Sequence, residues 1–155
     1  MTDSHPSSTQ WIELDAAAIA HNIGLFRSVL AEDTQLLAVV KANAYGHGLE
    51  AFAAIAADRV DWFGVHTAGE ARALRHAGIS HPILIMGVVP PGDFDELDDG
   101  VHLLAASRSA LEWIGDYRQR SGIRLPVHLK VDTGAKRQGF ALSRLDDVLG
   151  EALTQ

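Results

Sequence analysis

The chain has 155 residues, of which 47% are hydrophobic and 21% charged. That mix suits one folded domain with a sizeable core and excludes an intrinsically disordered chain. A net charge of −7 with no basic stripe argues against a nucleic-acid partner. The absence of cysteine excludes a disulfide framework and a thiolate metal site, and it fits a reducing, cytoplasmic compartment.

Residues 1–10, MTDSHPSSTQ, are polar and lack the apolar core of a signal peptide, so they read as a disordered leader ahead of a domain spanning 11–155. Trp11-Ile12-Glu13-Leu14 alternates like a lone strand with no neighbour to pair with. Asp15 can cap a helix whose apolar face carries Ile19, Ile23, Phe26 and Leu30. The run Leu36–Val40 predicts a first buried strand, and Leu49 to Ala57 predicts an alanine-rich helix. Trp62–Val65 predicts a second strand. Thr67 with Glu70 forms a capping box ahead of Ala71 to His76, and Gly78 ends that helix. Ile83–Met86 predicts a third strand, Pro91 to Leu97 a short helix stopped by Gly100, and Val101–Ala105 a fourth strand. Ser107 opens a further helix with Leu111 and Ile114 inward, and places Tyr117 mid-helix at the surface. Pro126–Val131 predicts a fifth strand. Ser143 caps a last helix with Leu145, Val148, Leu149 and Leu153 as its face.

The five apolar runs recur every 18 to 26 residues or so, the spacing of strand–helix units. Alternating βαβα units imply a parallel sheet with right-handed crossovers, either an open doubly wound sheet or a (β/α)8 barrel. A barrel needs eight strands and typically ~250 residues, so this chain would supply about five β/α units of it. The longest apolar runs are too short to cross a bilayer, and no membrane partner is expected.

Two segments carry chemistry. The first is AVVKANAYGHG, residues 38–48. Its Lys41 ends a buried apolar strand, and strand C-terminal ends are where barrel active sites lie. Partial desolvation there lowers an amine's pKa and makes it a nucleophile fit for Schiff-base formation. From the residues alone, a solvated strand-end lysine followed by a glycine turn accounts for the segment equally well. The second is VHLKVDTGAKRQGF, residues 127–140. Lys130 again lies near a strand end, with Arg137 in the following loop. Two such cations side by side are unfavourable unless an anion, deprotonation or covalent removal of the lysine charge relieves them. The simpler account pairs Asp132 with one cation in a basic surface turn. Of the histidines, His21, His76 and His81 read as surface groups, His47 structures its loop, and His128 alternates with Lys130 toward the same face. No pair has metal-ligand spacing.

AVVKANAYGHG closely resembles the pyridoxal 5′-phosphate (PLP) attachment signature of the alanine racemases, and HLKVDTGAKRQGF resembles the downstream HLKxDTGMxRxGF-like segment of that family. Trp11–Asp15, Asp61–Val65 and His81–Gly87 also fit it, so the resemblance spans nearly all of the chain after the leader. It implies a fold-type III, TIM-like PLP barrel, partial here, with the family's C-terminal β domain absent. It implies Lys41 as the lysine that holds PLP as a Schiff base and serves as one proton-transfer base. It implies Tyr45 beside the cofactor phosphate, Lys130 as a lysine that carries a carbamate, and Arg137 contacting both that carbamate and the cofactor's phenolic oxygen. The carbamate would turn Lys130 into an anion that pairs with Arg137. One departure is Ala135, where the family commonly has methionine; a packing effect is expected.

The activity so implied is interconversion of L- and D-alanine for peptidoglycan synthesis by a homodimer. Racemisation needs a second proton-transfer group on the opposite face of the α-carbon. The family takes it from a tyrosine of the partner subunit, and neither Tyr45 nor Tyr117 fits that role. The 155-residue chain alone is therefore expected to be an inactive, marginally stable fragment. Two alternatives are a non-catalytic PLP-carrier barrel, disfavoured by the AYGHG continuation, and a cofactor-free Schiff-base aldolase with Lys41 or Lys130 as nucleophile. Substrate breadth among alanine, serine and lysine is open at this stage.

Overall fold

The computed structural model describes residues 10–154, with side chains up to residue 150; most of the expected polar leader lies outside them. Five strands, β1 (Leu37–Val39), β2 (Trp62–Val65), β3 (Ile83–Ile85), β4 (Val101–Ala105) and β5 (Val127–Leu129), form one sheet in the order β1-β2-β3-β4-β5. Every neighbouring pair is parallel. Strictly consecutive order decides between the two sequence-level architectures. A doubly wound sheet reverses its strand order at a switch point, whereas right-handed crossovers that keep advancing in one direction put all helices on one side, as in a barrel. The sheet is thus part of a TIM-like (β/α)8 barrel.

The helices are α1 (Ala16–Val29), α2 (Lys41–Tyr45), α3 (Leu49–Ala56), α4 (Ala68–His76), α5 (Arg108–Ser121) and α6 (Leu145–Thr154), with 3-10 turns at Ala57–Arg59, Pro91–Glu96 and Leu142–Arg144. Their starts follow the side-chain caps. Asp15 accepts the Ala18 amide at 2.9 Å, Ser107 accepts that of Ala110 at 3.3 Å, and Thr67 and Glu70 make the reciprocal capping box of α4. No helix among the described residues is long and apolar enough to cross a membrane.

The core lies between the sheet's convex face and the helices. Phe63, Val65, Ile83, Ile85, Val101, Leu103 and Ala105 alternate onto that face and are buried, packed with Leu74, Ala53 and Ala56. The opposite, concave face carries Leu37, Val39, Trp62, Gly64, Leu84, His102, Leu104 and His128, as the register shows. There the His102 Nδ1 and His128 Nε2 atoms are 3.0 Å apart, and the Trp62 ring meets His102 edge-on at 4.6 Å. Burial, then the neighbouring His128, holds the His102 pKa below the usual histidine range. His128 does share the strand face expected of it.

Several expectations are corrected. Trp11–Leu14 is not a strand; Trp11 and Ile12 are exposed, and these residues pair with no strand of the sheet. Phe26 is 66% exposed on α1, so only part of the expected apolar stripe of that helix meets the core. Ser143 sits inside the Leu142–Arg144 turn instead of capping α6, and the Leu153 side chain lies outside the described residues. Tyr117 is buried at 3% exposure, not at the surface. Its ring packs edge-on against Phe94 at 5.2 Å, with the Arg120 guanidinium 5.6 Å from its centroid. His81 is half-buried against Phe63. The expected fifth strand ends at Leu129, and Val131–Asp132 forms β6, paired in parallel with β7 (Phe140–Ala141).

Asp61 staples α1, β1 and β2 together. Its Oδ2 accepts from the Leu36 amide at 2.6 Å and from Arg27 at 2.6 Å. These bonds, the Leu36 amide first, hold its carboxyl below the usual carboxylate range. A depressed folded pKa gives stability that is present above the unfolded value of about 3.9 and is lost as pH falls through the folded value. Asp61→Asn should therefore flatten the acid limb of a stability-versus-pH curve measured by urea unfolding. In the same assay Phe63→Ala, which empties the centre of the core, should cost about 3–5 kcal/mol.

Candidate active site

Val40 is fully buried, and its amide donates to the Gly64 carbonyl at 2.8 Å, which extends the β1–β2 ladder to the last residue before Lys41. The chain then leaves the sheet in a rare way. Ala42, Asn43, Ala44 and Tyr45 all have φ between 52° and 56°, so α2 is a turn of left-handed helix. For L-residues this costs roughly 1–2 kcal/mol per residue. Such strain persists only where surrounding contacts over-determine the conformation.

Those contacts are specific. The Ala44 amide donates to the Val40 carbonyl at 2.7 Å, and the Ala44 side chain is buried. The Asn43 Oδ1 accepts the Leu49 amide at 2.8 Å and so closes the start of α3. Gly46, at φ 95°, ends the left-handed turn and donates to the Ala42 and Asn43 carbonyls. The Glu70 carboxylate reaches across from α4 to accept the Ala42 amide at 2.6 Å.

Lys130 follows β5, and its amide donates to the Ala105 carbonyl at 2.9 Å. Its carbonyl accepts the Phe140 amide at 2.7 Å, which closes the loop 133–139 back onto the strand end. Gly139 permits that closure: at φ 127°, a Cβ there would stand 2.9 Å from the Asp132 nitrogen and 3.0 Å from the Lys130 oxygen. Asp132 forms no salt bridge among the described residues, in place of the cation pair of the simpler sequence account, and Lys130 acts on it only as a weak through-space charge. Its carboxylate accepts the Gly134 and Lys136 amides at 2.9 and 3.1 Å, an Asx-type turn. These amides, Gly134 first, hold its carboxyl below the usual range.

The two segments meet at the C-terminal rim of the sheet. A cleft of about 480 Å3 is lined by Lys41, Tyr45, Lys130 and Arg137, the four residues singled out from the sequence. Tyr45 is 63% exposed. Among the described residues, no carboxylate forms a salt bridge with Lys41, Lys130 or Arg137. The cleft thus gathers three cationic side chains with Asp132 already occupied by backbone amides, an arrangement suited to an anionic ligand. Sequence reasoning missed two further lining residues, His66 and Met86. Both stand at the rim ends of β2 and β3, and the strand-end rule that singled out Lys41 would have found them. Ala135 also lines the cleft, which places the family's methionine-to-alanine departure at the site.

A family model described as alanine racemase, N-terminal domain, matches residues 14–155. The chain belongs to this alanine racemase family. It is 40% identical over 134 residues to an alanine racemase of Synechocystis, covering 83% of this chain and 36% of that protein. It is 40% identical over 142 residues to one of Streptococcus suis, covering 90% and 38%. Among solved structures, the alanine racemase of E. faecalis superposes with a TM-score of 0.80 at 35% identity over 91% of this chain and 39% of that one. The alanine racemase of Bacillus anthracis with bound L-Ala-P gives 0.79 at 31% identity, over 93% and 37%. The chain therefore spans well under half the length of the alanine racemases it matches.

The loop that carries Arg137 hangs on one carboxylate. Asp132→Ala should speed amide exchange at Gly134 and Lys136 about tenfold or more, the effect of removing a charge-assisted hydrogen bond. In the unsubstituted protein the same amides should lose protection as pH falls through the depressed Asp132 pKa. Hydrogen exchange followed by NMR measures both.

Proposed function

We propose that this chain is the catalytic-lysine part of a PLP-dependent alanine racemase, with Lys41 as the residue that holds the cofactor. The single observation that carries the reading is the convergence of Lys41, Tyr45, Lys130 and Arg137 on one cleft at the sheet's C-terminal rim. The family membership supports it, and it favours the racemase over a PLP carrier or a cofactor-free aldolase.

The residues present fit PLP. The cofactor carries a phosphate and a phenolate, and the cleft offers three cationic groups with no ion-paired carboxylate among the described residues. Lys41 would hold the cofactor through its Nζ, Tyr45 would lie toward the phosphate, and Arg137 would face the phenolic oxygen. When bound, PLP supplies a carbonyl carbon that condenses with amines and a conjugated ring that stabilises negative charge at the α-carbon.

The Lys41 Nζ then takes a proton from, or returns it to, one face of the alanine α-carbon. Its place just beyond β1, with Val40 and the left-handed turn fixed on either side, anchors the backbone from which that side chain enters the cleft lining. Lys130 and Arg137 line the same cleft, and a carbamate on the Lys130 Nζ would give the Arg137 guanidinium an anionic partner. The proton-transfer group on the opposite face is proposed to come from a second subunit of a homodimer. A cytoplasmic enzyme supplying D-alanine for peptidoglycan is the physiological setting proposed, with residues 1–10 as a leader ahead of the barrel segment 11–155.

Borohydride reduction of the PLP-loaded protein should leave a pyridoxyl label on Lys41, read by peptide mass, and Lys41→Ala should be unlabelled and colourless. A label on another side chain overturns the assignment. The Lys130 peptide should carry the mass of one added CO2 under non-denaturing conditions; an unmodified amine there removes the carbamate from the reading.

A further inference from the structure

The capping box of α4 is built with one acceptor more than a cap needs. In such a box the carboxylate of the third helical residue accepts the amide of the capping residue. Here the Glu70 Oε2 does so, taking the Thr67 amide at 3.2 Å and also the His66 amide at 2.7 Å. Its other oxygen, Oε1, has left the helix end altogether. It accepts the Ala42 amide at 2.6 Å, across 28 residues of sequence. Ala42 is the first left-handed residue after Lys41, and its amide is the first of the turn that the turn itself cannot satisfy. One carboxylate therefore joins the residue that follows Lys41 to the rim end of β2, where His66 lines the same cleft.

We propose that Glu70 is a positioning residue for Lys41: its carboxylate holds the strained left-handed turn against the rim of β2 and so aims the lysine amine into the cleft. The inference rests on the reading of Lys41 as the cofactor lysine, and it adds a residue outside the cleft lining on which that lysine depends. The physical argument is a balance. Four consecutive left-handed residues are unfavourable, and a relaxed right-handed turn over 42–45 would swing the chain after Lys41 to a new direction. A short, charge-assisted bond to Ala42 opposes that relaxation. The remaining anchors of the turn, Asn43 to Leu49 and Ala44 to Val40, act further along it or on its core side.

Thr67 separates this role from ordinary capping. Its Oγ1 accepts the Glu70 amide at 3.2 Å, so Thr67→Ala removes half of the box and leaves the Ala42 tether intact. Glu70→Ala removes cap and tether together. Glu70→Met keeps the length and helix propensity of the side chain without a carboxylate oxygen to accept from Ala42, and it serves where the alanine variant does not fold. Two readouts apply to the PLP-free and PLP-loaded protein respectively. In hydrogen exchange by mass spectrometry, the peptide spanning 42–48 should exchange roughly tenfold faster in both Glu70 variants than in Thr67→Ala, as expected for one lost charged hydrogen bond. In borohydride trapping with PLP, the rate of pyridoxyl labelling of Lys41 should fall roughly tenfold in the Glu70 variants and hold in Thr67→Ala.

Equal exchange in Glu70→Met and Thr67→Ala overturns the tether. Faster exchange with an unchanged labelling rate overturns the positioning role. If the unsubstituted protein takes no label at Lys41, the cofactor reading itself falls, and the exchange comparison then decides the tether by itself.

Discussion

Everything at the cleft depends on the in-register parallel ladder from β1 to β5. Because the strands run the same way and follow one another in order, their C-terminal ends form a single rim. Lys41, His66, Met86 and Lys130 are the residues at or just beyond those ends, and they are brought together by register although they span 90 positions of sequence. A slip of one residue in any strand would turn its rim residue from the concave face toward the helices. The buried convex face, with Phe63, Ile83, Ile85 and Leu103, makes such a slip costly. The core thus sets the geometry of the site without touching it.

On that rim the two chemical segments are held by opposite devices. The Lys41 segment is strained: four left-handed residues are kept in place by amide bonds to Val40 and Glu70 and by the Asn43 side chain. The Lys130–Arg137 segment is relaxed and tied by its own aspartate, with Gly139 allowing the backbone to pass close to Asp132 and Lys130. Both devices consume carboxylates on backbone amides. That leaves Lys41, Lys130 and Arg137 without a salt bridge to a carboxylate among the described residues, an arrangement suited to an anionic ligand.

Family membership is consistent with this reading at the level of the segment that matches. The chain covers 36% of the Synechocystis alanine racemase and 39% of the E. faecalis structure. The concave face of the sheet, lined by Val39, Leu84, Leu104 and the His102–His128 pair, is the face that the remaining strands of a complete barrel would enclose.

The sequence by itself determined the strand–helix alternation, the caps at Asp15, Thr67 and Ser107, and the two strand-end lysines, Lys41 and Lys130, because each is a local pattern: an apolar run, a side chain reaching its own helix end, or a lysine at the end of a strand; Tyr45 and Arg137 were singled out by the resemblance of their motifs to those of the family. It also suggested a surface position for Tyr117 and a strand at Trp11–Leu14, and both were wrong. Helical periodicity does not say that the Pro91–Glu96 turn brings Phe94 against Tyr117, and alternation does not supply a strand with a partner. Only the tertiary structure decided the consecutive strand order, the left-handed path after Lys41 and the reach of Glu70 to Ala42. Each of these is a hydrogen bond or a register between segments far apart in sequence or a backbone conformation that propensity disfavours, and such choices are made by packing, not by the residues locally.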